Sequence, residues 1–271
     1  MNMMKASKVG LSLVCAMALS SFAQQTDWSG KDLNISFRDK RIDGYDFSKS
    51  KAIKRVTDFQ RAAGDGMDFS NANLTEVSFQ NAVFNAASFK NANLSKATIS
   101  GADIRSSNFK GANLEGANLY RATLLDSEFP QAIFKSARLD AMKVSDGADF
   151  SKADFTQASV MDVDFTNADF SKSNMTNANF SRSLMANTNL KKAKLVKTDF
   201  TACNLIAANF SGVDLDGVNF AKAGLSQADF GGAEFKNVNL QEADLSLTTF
   251  NDVDLSKTQL QKAKFAQSTL K

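Results

Sequence analysis

Histidine is absent from this chain of 271 residues, proline and tryptophan occur once each, and cysteine and tyrosine twice each. Lacking histidine, the chain has neither the commonest general base near neutral pH nor the commonest metal ligand. No glycine-rich phosphate loop and no zinc-ligand spacing occurs. Serine and threonine are plentiful, but no histidine or convincing lysine partner stands ready to activate one as a nucleophile. These absences argue against an enzyme, and no cofactor is expected. An excess of one charge is missing too: 32 Lys and Arg face 29 Asp and Glu. That balance argues against broad electrostatic capture of nucleic acid or anionic lipid.

The first residues read as an export signal. Lys5 and Lys8 precede an apolar stretch, VGLSLVCAMALSSFA, that closes on Ser21-Phe22-Ala23 before polar residues begin. Small residues at 21 and 23 are what a signal peptidase inspects, so cleavage after Ala23 is expected, with export to the periplasm or the cell exterior. The run is short of the ~20 residues a transmembrane helix needs, so the mature chain is expected to carry no membrane span. Val14 stands where a lipidated Cys15 would need a small neighbour, which argues against a lipoprotein. Loss of Lys5 and Lys8 would leave 30 basic residues against 29 acidic, and Cys203 as the one remaining thiol, so no intramolecular disulfide could form.

What the chain does have is a five-residue word. A large apolar residue recurs at every fifth position from Phe69 to Val144. One extra residue intervenes near Gly147, and the register resumes at Phe150 and holds to Leu270. Of these 41 centres, 19 are Phe, 16 Leu and the rest Ile, Val or Met. Two positions earlier the residue is small, as at Ala72, Ala82, Ala92 and Ala153, and between the two sits Asp or Asn in many words. A period of five suits neither a straight helix nor a flat strand. Each word is therefore a short extended segment and a turn, and Gly or Asn two after the centre (Asn71, Asn91, Gly111, Gly212) accepts the positive φ of a tight turn. Every fourth centre, with the extra residue allowed for, gives Phe69, Phe89, Phe109, Phe129, Phe150 and Phe170, then Leu190, Phe210, Phe230, Phe250 and Leu270. Four words per coil would stack these rings on one another. The extra residue preserves that column, so it reads as a bulge in one continuous solenoid.

Residues 67–271 resemble the pentapeptide repeat family, whose pattern is A-(D/N)-L-x-x with Leu or Phe at the centre. The resemblance implies an all-β solenoid: a right-handed quadrilateral parallel β-helix, here of about ten coils, with the central residue and the preceding Ala inside. The expected division is 1–23 signal peptide, 24–66 N-terminal cap and 67–271 repeat helix. Within the cap, Phe37, Ile42 and Phe47 suggest degenerate coils. SKSKAIKRVTDFQRAAG, with Ile53, Val56, Phe59 and Ala63 and a closing Gly64, suggests a short amphipathic capping helix with Lys49, Lys51, Lys54, Arg55 and Arg61 as its basic side. In several members of the family the C-terminal coil makes a dimer. The same end here presents Leu255, Leu260, Phe265 and Leu270, for which a homodimer and a frayed last coil are the two expectations.

Candidate chemistry is sparse. Asp149, Asp154, Asp164 and Asp169, with Asp199, Asp214, Asp229, Asp244 and Asp254, precede central residues, where the repeat asks for Asp or Asn; a stacked pair such as Asp149 and Asp169 is the alternative as a cation site. Lys152, Lys172 and Lys192 lie twenty apart and would stack on one face, with Lys191, Lys194 and Lys197 nearby. That column is either a dock for an anionic surface or glycan, or a solvated face. Tyr120, Leu125 and Pro130 each follow a centre and should project singly on successive sides. Cys203 replaces the usual Ala and should be buried and inert.

The leading expectation is an exported, non-catalytic rod that presents its surface to another macromolecule, in the first instance a protein. The resemblance also brings in DNA mimicry against a type II topoisomerase, as in quinolone-resistance members. That role asks for a strongly acidic face, whereas residues 67–271 carry 21 basic and 22 acidic side chains. A glycan- or polyanion-binding surface is the third.

Overall fold

The computed structural model describes residues 26–270, so the expected signal segment, with Cys15 and Ala23, lies outside the described residues. The architecture is an all-β solenoid, built from parallel bridges between residues one circuit apart. From Asp58 onward that circuit is twenty residues except across the extra residue near Gly147, as in Asn93 to Asn113 and Asp199 to Asn219, so four words close one coil. Where bridges lengthen into strands, Ala63–Asp65 (β3), Val83–Asn85 (β4) and Asp103–Arg105 (β5) form a three-stranded parallel sheet. Asp32–Leu33 (β1) pairs with Lys51–Ala52 (β2), and Thr249–Phe250 (β6) with Thr269–Leu270 (β7).

One word shows why the sequence demands this fold. In Asn108-Phe109-Lys110-Gly111-Ala112 every backbone N–H finds an acceptor. Asn108 donates back to the Ala87 carbonyl at 3.0 Å, and Phe109 forward to Glu128 at 2.8 Å. Gly111 donates forward to Pro130 at 3.0 Å, and Ala112 closes the turn on Phe109 at 2.9 Å. The fifth donor, Lys110, is taken by the Asn108 side chain at 2.8 Å. The Asp or Asn before each centre is thus an acceptor for a donor the ladder leaves over. Gly111 has φ +66°, the left-handed conformation that favours Gly and Asn at this place. The single proline, Pro130, stands at the one position of the word whose N–H the ladder does not use, and Glu128 before it is not an Asx acceptor.

The central side chains fill the coil. In the Phe column from Phe69 to Phe170, successive rings lie 4.8–5.3 Å apart with planes within 16° of parallel. The column resumes at Phe210, Phe230 and Phe250 beyond Leu190. A second stack, Phe37, Phe59 and Phe79, faces it from across the interior and meets it edge-on. Each fully buried Phe contributes about 1.5–3 kcal/mol in apolar burial. The extra residue near Gly147 lengthens the circuit to 21, as in Ile133 to Asp154, and pairing resumes at twenty with Asp149 to Asp169. There the Ser145 hydroxyl stands in for a backbone carbonyl and accepts the Asp126 N–H at 2.8 Å.

The expected capping helix over 48–64 is not there; the described residues contain no helix. Lys51–Ala52 is strand, Ile53 begins a tight turn, and Phe59 and Ala62 point into the core. Bridges run without a break across the expected cap boundary, as in Asp46 to Asp68 and Lys51 to Asn73, at a spacing of 22 that reflects two extra residues in this turn. Thr57 holds the turn shut, its hydroxyl accepting from Ile53 N–H at 2.8 Å and donating to the Leu33 carbonyl. Gly64 is no helix stop either: it lies inside β3 at a central position and has no positive φ. A Cβ there would come within 2.8 Å of Met67 Sδ, so Met67, at a position that is normally Ala, fills the room that a central Leu or Phe would occupy. The basic side chains assigned to that helix are spread over the coil surface, where Lys54 pairs with Glu76 at 2.6 Å and Arg61 with Asp39 at 2.6 Å.

Candidate interaction surface

Outward side chains inherit the regularity of the ladder and stand in rows along the solenoid. Lys152, Lys172 and Lys192 occupy the left-handed turn position of three successive coils, each with φ +60°, and all are exposed. Lys172 N–H donates to the Lys191 carbonyl at 3.1 Å, and Lys194 bridges to Asn174 on the adjoining side. The structure thus brings Lys152, Lys172, Lys191 and Lys192 onto one corner, leaves Lys194 on the adjoining side, and puts Lys197 at the next corner of the same coil. None of them is in an ion pair among the described residues, whereas Arg38, Arg61, Arg105, Arg138 and Arg182 all are.

Two members of this row were missed in the sequence. Lys90 and Lys110 are also twenty apart, but they sit one position before the turn residue, so counting back by circuits from Lys152 passes through Gln131, Gly111 and Asn91 and misses them. The ladder nevertheless joins these positions: Asn91 N–H donates to Lys110 O at 2.9 Å, and Lys152 N–H to Ser171 O at 2.9 Å. The signal lay in reading the two outward positions of that corner together. A row of another kind lies on the side that carries Phe84 and Leu205. Val83, Leu184, Ile206 and Leu247 there make up four of the six exposed large apolar residues among the described residues.

The remaining candidates resolve into structural roles. Asp149 and Asp169 each accept a backbone N–H, from Ser151 and Ser171, at 2.8 Å. Asp154, Asp164, Asp199, Asp214, Asp229, Asp244 and Asp254 hold their turns in the same way. Hydrogen bonds from Ser246 hold the Asp244 carboxyl below the usual carboxylate range. Among the described residues no group of three or more His, Cys, Asp or Glu is placed to hold a metal ion. Cys203 is buried, donates to the Phe180 carbonyl at 2.9 Å, and has its pKa pushed up to about 12 by burial. Its thiol is not a nucleophile at neutral pH. Tyr120, expected to project freely, is half-buried with the Arg138 guanidinium 4.3 Å from its ring centroid. Leu125 and Pro130 are half-buried too. At the C-terminal end Leu255, Leu260 and Phe265 are half-buried, while Leu240 and Leu245, one coil earlier, are closed off. Leu270 pairs through its backbone with Phe250.

Comparison with known families rests on the repeat itself. Residues 153–230 match the family described as a pentapeptide repeat region, and 68–105, 100–135 and 233–271 match pentapeptide repeats in eight copies, together more than half of the chain. The chain belongs to the pentapeptide repeat family. Pentapeptide repeat proteins are typically non-enzymatic structural or interaction proteins. Among curated proteins no sequence matches this chain. Solved pentapeptide repeat structures similar to it include HetL, involved in heterocyst differentiation regulation in the cyanobacterium Nostoc sp. strain PCC 7120. It is 21% identical, with a TM-score of 0.39, over 84% of this chain and 95% of HetL. Full-length QnrB1, a plasmid-mediated fluoroquinolone resistance protein, is 16% identical, with a TM-score of 0.29, over 90% of this chain and 93% of QnrB1. Rfr23 from the cyanobacterium Cyanothece 51142 is 16% identical, with a TM-score of 0.22, over 57% of this chain and 97% of Rfr23. Among the described residues no helix is long and apolar enough to cross a membrane.

Proposed function

We propose that this pentapeptide repeat protein is exported, loses residues 1–23, and works in the periplasm or outside the cell as a non-catalytic rod of about ten right-handed coils. Its outward rows bind another macromolecule, a protein in the first instance. The observation that carries this reading is the backbone hydrogen-bond ladder that ties each coil to the coils one circuit away. It fixes the outward side chains in straight rows, and a rigid row is a pre-organised contact surface. Support for export is the charged start, short apolar run and small residues at 21 and 23. Intact mass of the protein from fractionated cells tests it: a species beginning at Gln24 outside the cytosol is expected, and an uncleaved cytosolic chain overturns export. A turnover activity abolished by one surface substitution would sink the non-catalytic part.

The half-buried Leu255, Leu260 and Phe265 support a homodimer closed over the C-terminal coil. Light scattering is expected to give twice the chain mass, and Leu260→Glu to halve it; a wild-type mass equal to one chain ends the dimer.

A further inference from the structure

The lysine corner is longer than the column of three and differs in kind from the rest of the charged surface. Per coil, its two outward positions read Lys90-Asn91, Lys110-Gly111, Pro130-Gln131, Ser151-Lys152, Ser171-Lys172 and Lys191-Lys192. Five of these six consecutive coils carry a lysine there and none carries an acid. The ladder bonds Asn91 to Lys110, Gly111 to Pro130, Gln131 to Ser151, Lys152 to Ser171 and Lys172 to Lys191 make the corner continuous. At about 4.8 Å per coil, the row from Lys90 to Lys192 runs for ~24 Å. All six lysines are exposed, and the lysine ion pairs among the described residues are made by Lys54, Lys135, Lys236 and Lys262 instead.

We propose that this corner binds a linear acidic polysaccharide, one carrying a carboxylate on each sugar and lying parallel to the solenoid axis. The inference rests on reading the rod as an interaction surface and names the partner of one row. The width of the row selects the partner. Across the same side, about 7 Å away, runs a parallel row containing Glu128, Asp149 and Asp169. A flat anionic bilayer or a nucleic-acid duplex would cover both rows and meet the acids as well as the lysines. A single thin polymer strand meets the lysines alone. Single-stranded nucleic acid is thin enough, but its tight binding uses aromatic platforms for the bases. The two outward positions of this corner carry no aromatic side chain in any of the six coils. A uronic acid chain needs only cations, at a repeat close to one coil, and the lysines on five of these six coils supply them.

Fluorescence anisotropy with labelled oligogalacturonate of about ten sugars, titrated with the full chain at several salt concentrations, tests this. Salt-sensitive binding is expected, weakened at least about tenfold by the triple change Lys152→Gln, Lys172→Gln, Lys192→Gln, with the slope of log Kd against log salt flattened by about two. The control triple Lys143→Gln, Lys222→Gln, Lys264→Gln removes equal charge from other sides and should change Kd less than about twofold. Thermal melts verify that both triples fold. No binding, equal loss in both triples, or tighter binding of oligo-dT or of vesicles containing phosphatidylserine each overturns the proposal. Any of these results leaves the exported rod standing, because that reading is judged by location, mass and turnover; a cytosolic or catalytic chain would fail there whatever the sugar titration shows.

Discussion

The coils before residue 67 and the array after it build the same interior from very different text. In the array the word keeps five letters, with Ala, then Asp or Asn, then Phe or Leu. In the first coils, Leu33 and Phe37 are four apart, Ala52 and Phe59 seven apart, and Gly64 takes a central place. Yet Leu33, Phe37, Ile42, Phe47 and Phe59 are all buried, and the Phe37–Phe59–Phe79 stack runs unbroken from one region into the other. What the fold requires, therefore, is not the word but two conditions: an apolar group inside at each side, and backbone partners above and below. Compensations such as Thr57 in the long turn and Met67 beside Gly64 meet them where the word fails.

That comparison can be broken most severely in the regular column. Phe109→Ala removes a ring stacked between Phe89 and Phe129, and denaturant unfolding is expected to show a loss of about 3–5 kcal/mol. In the irregular coil, restoring the family letter should do harm. Gly64→Leu collides with Met67 Sδ and the Ile42 carbonyl, for an expected cost of about 1–3 kcal/mol. Adding Met67→Ala should recover part of it, and a double variant no better than the single would deny that Met67 fills the room left by Gly64. Smaller still, Asn108→Ala orphans the Lys110 N–H and should cost about 0.5–1.5 kcal/mol. Glu128→Ala, ahead of Pro130, has no such donor to lose and should stay within about 0.5 kcal/mol of wild type.

The weakest expected difference is in acid. Hydrogen bonds from Arg61 and Lys54 hold the Asp39 and Glu76 carboxyls below the usual range. A depressed carboxylate lends stability that is fully present above its unfolded value near 4 and is lost as pH falls through the folded one. Both groups lie in or against the irregular coils. Amide protection over 36–65 should therefore fall more than over 190–240 when pH drops from about 7 to about 3. Equal loss in both stretches would remove the ion pairs as a distinguishing feature.

Most of the fold was legible because a central residue every five positions has one physical solution, and the Phe column gave the circuit. The helix over 48–64 was misread because Ile53, Val56 and Ala63 mimic an amphipathic spacing. Helix propensity there is overruled by coils on both sides that need Lys51 and Ala63 as strand partners. Counting back by fives from Phe69 reaches Gly64 and Phe59, and that was the overlooked signal. The lysine row was half legible: identical positions twenty apart give Lys152, Lys172 and Lys192, but knowing that neighbouring positions share a corner takes the ladder bonds.

The twenty-residue circuit also governs how such a molecule can be inherited. A duplication or loss of twenty codons anywhere in the array returns the chain to the same side, beneath the same neighbours, with every turn acceptor still before its centre. A change of five or ten codons rotates everything downstream by one or two sides and carries the lysine corner with it. Length is thus a countable trait, adjustable in whole circuits without redesign, while the facing of each row is held fixed. The inserted residue near Gly147 marks how small an error the corner can absorb without turning the rod.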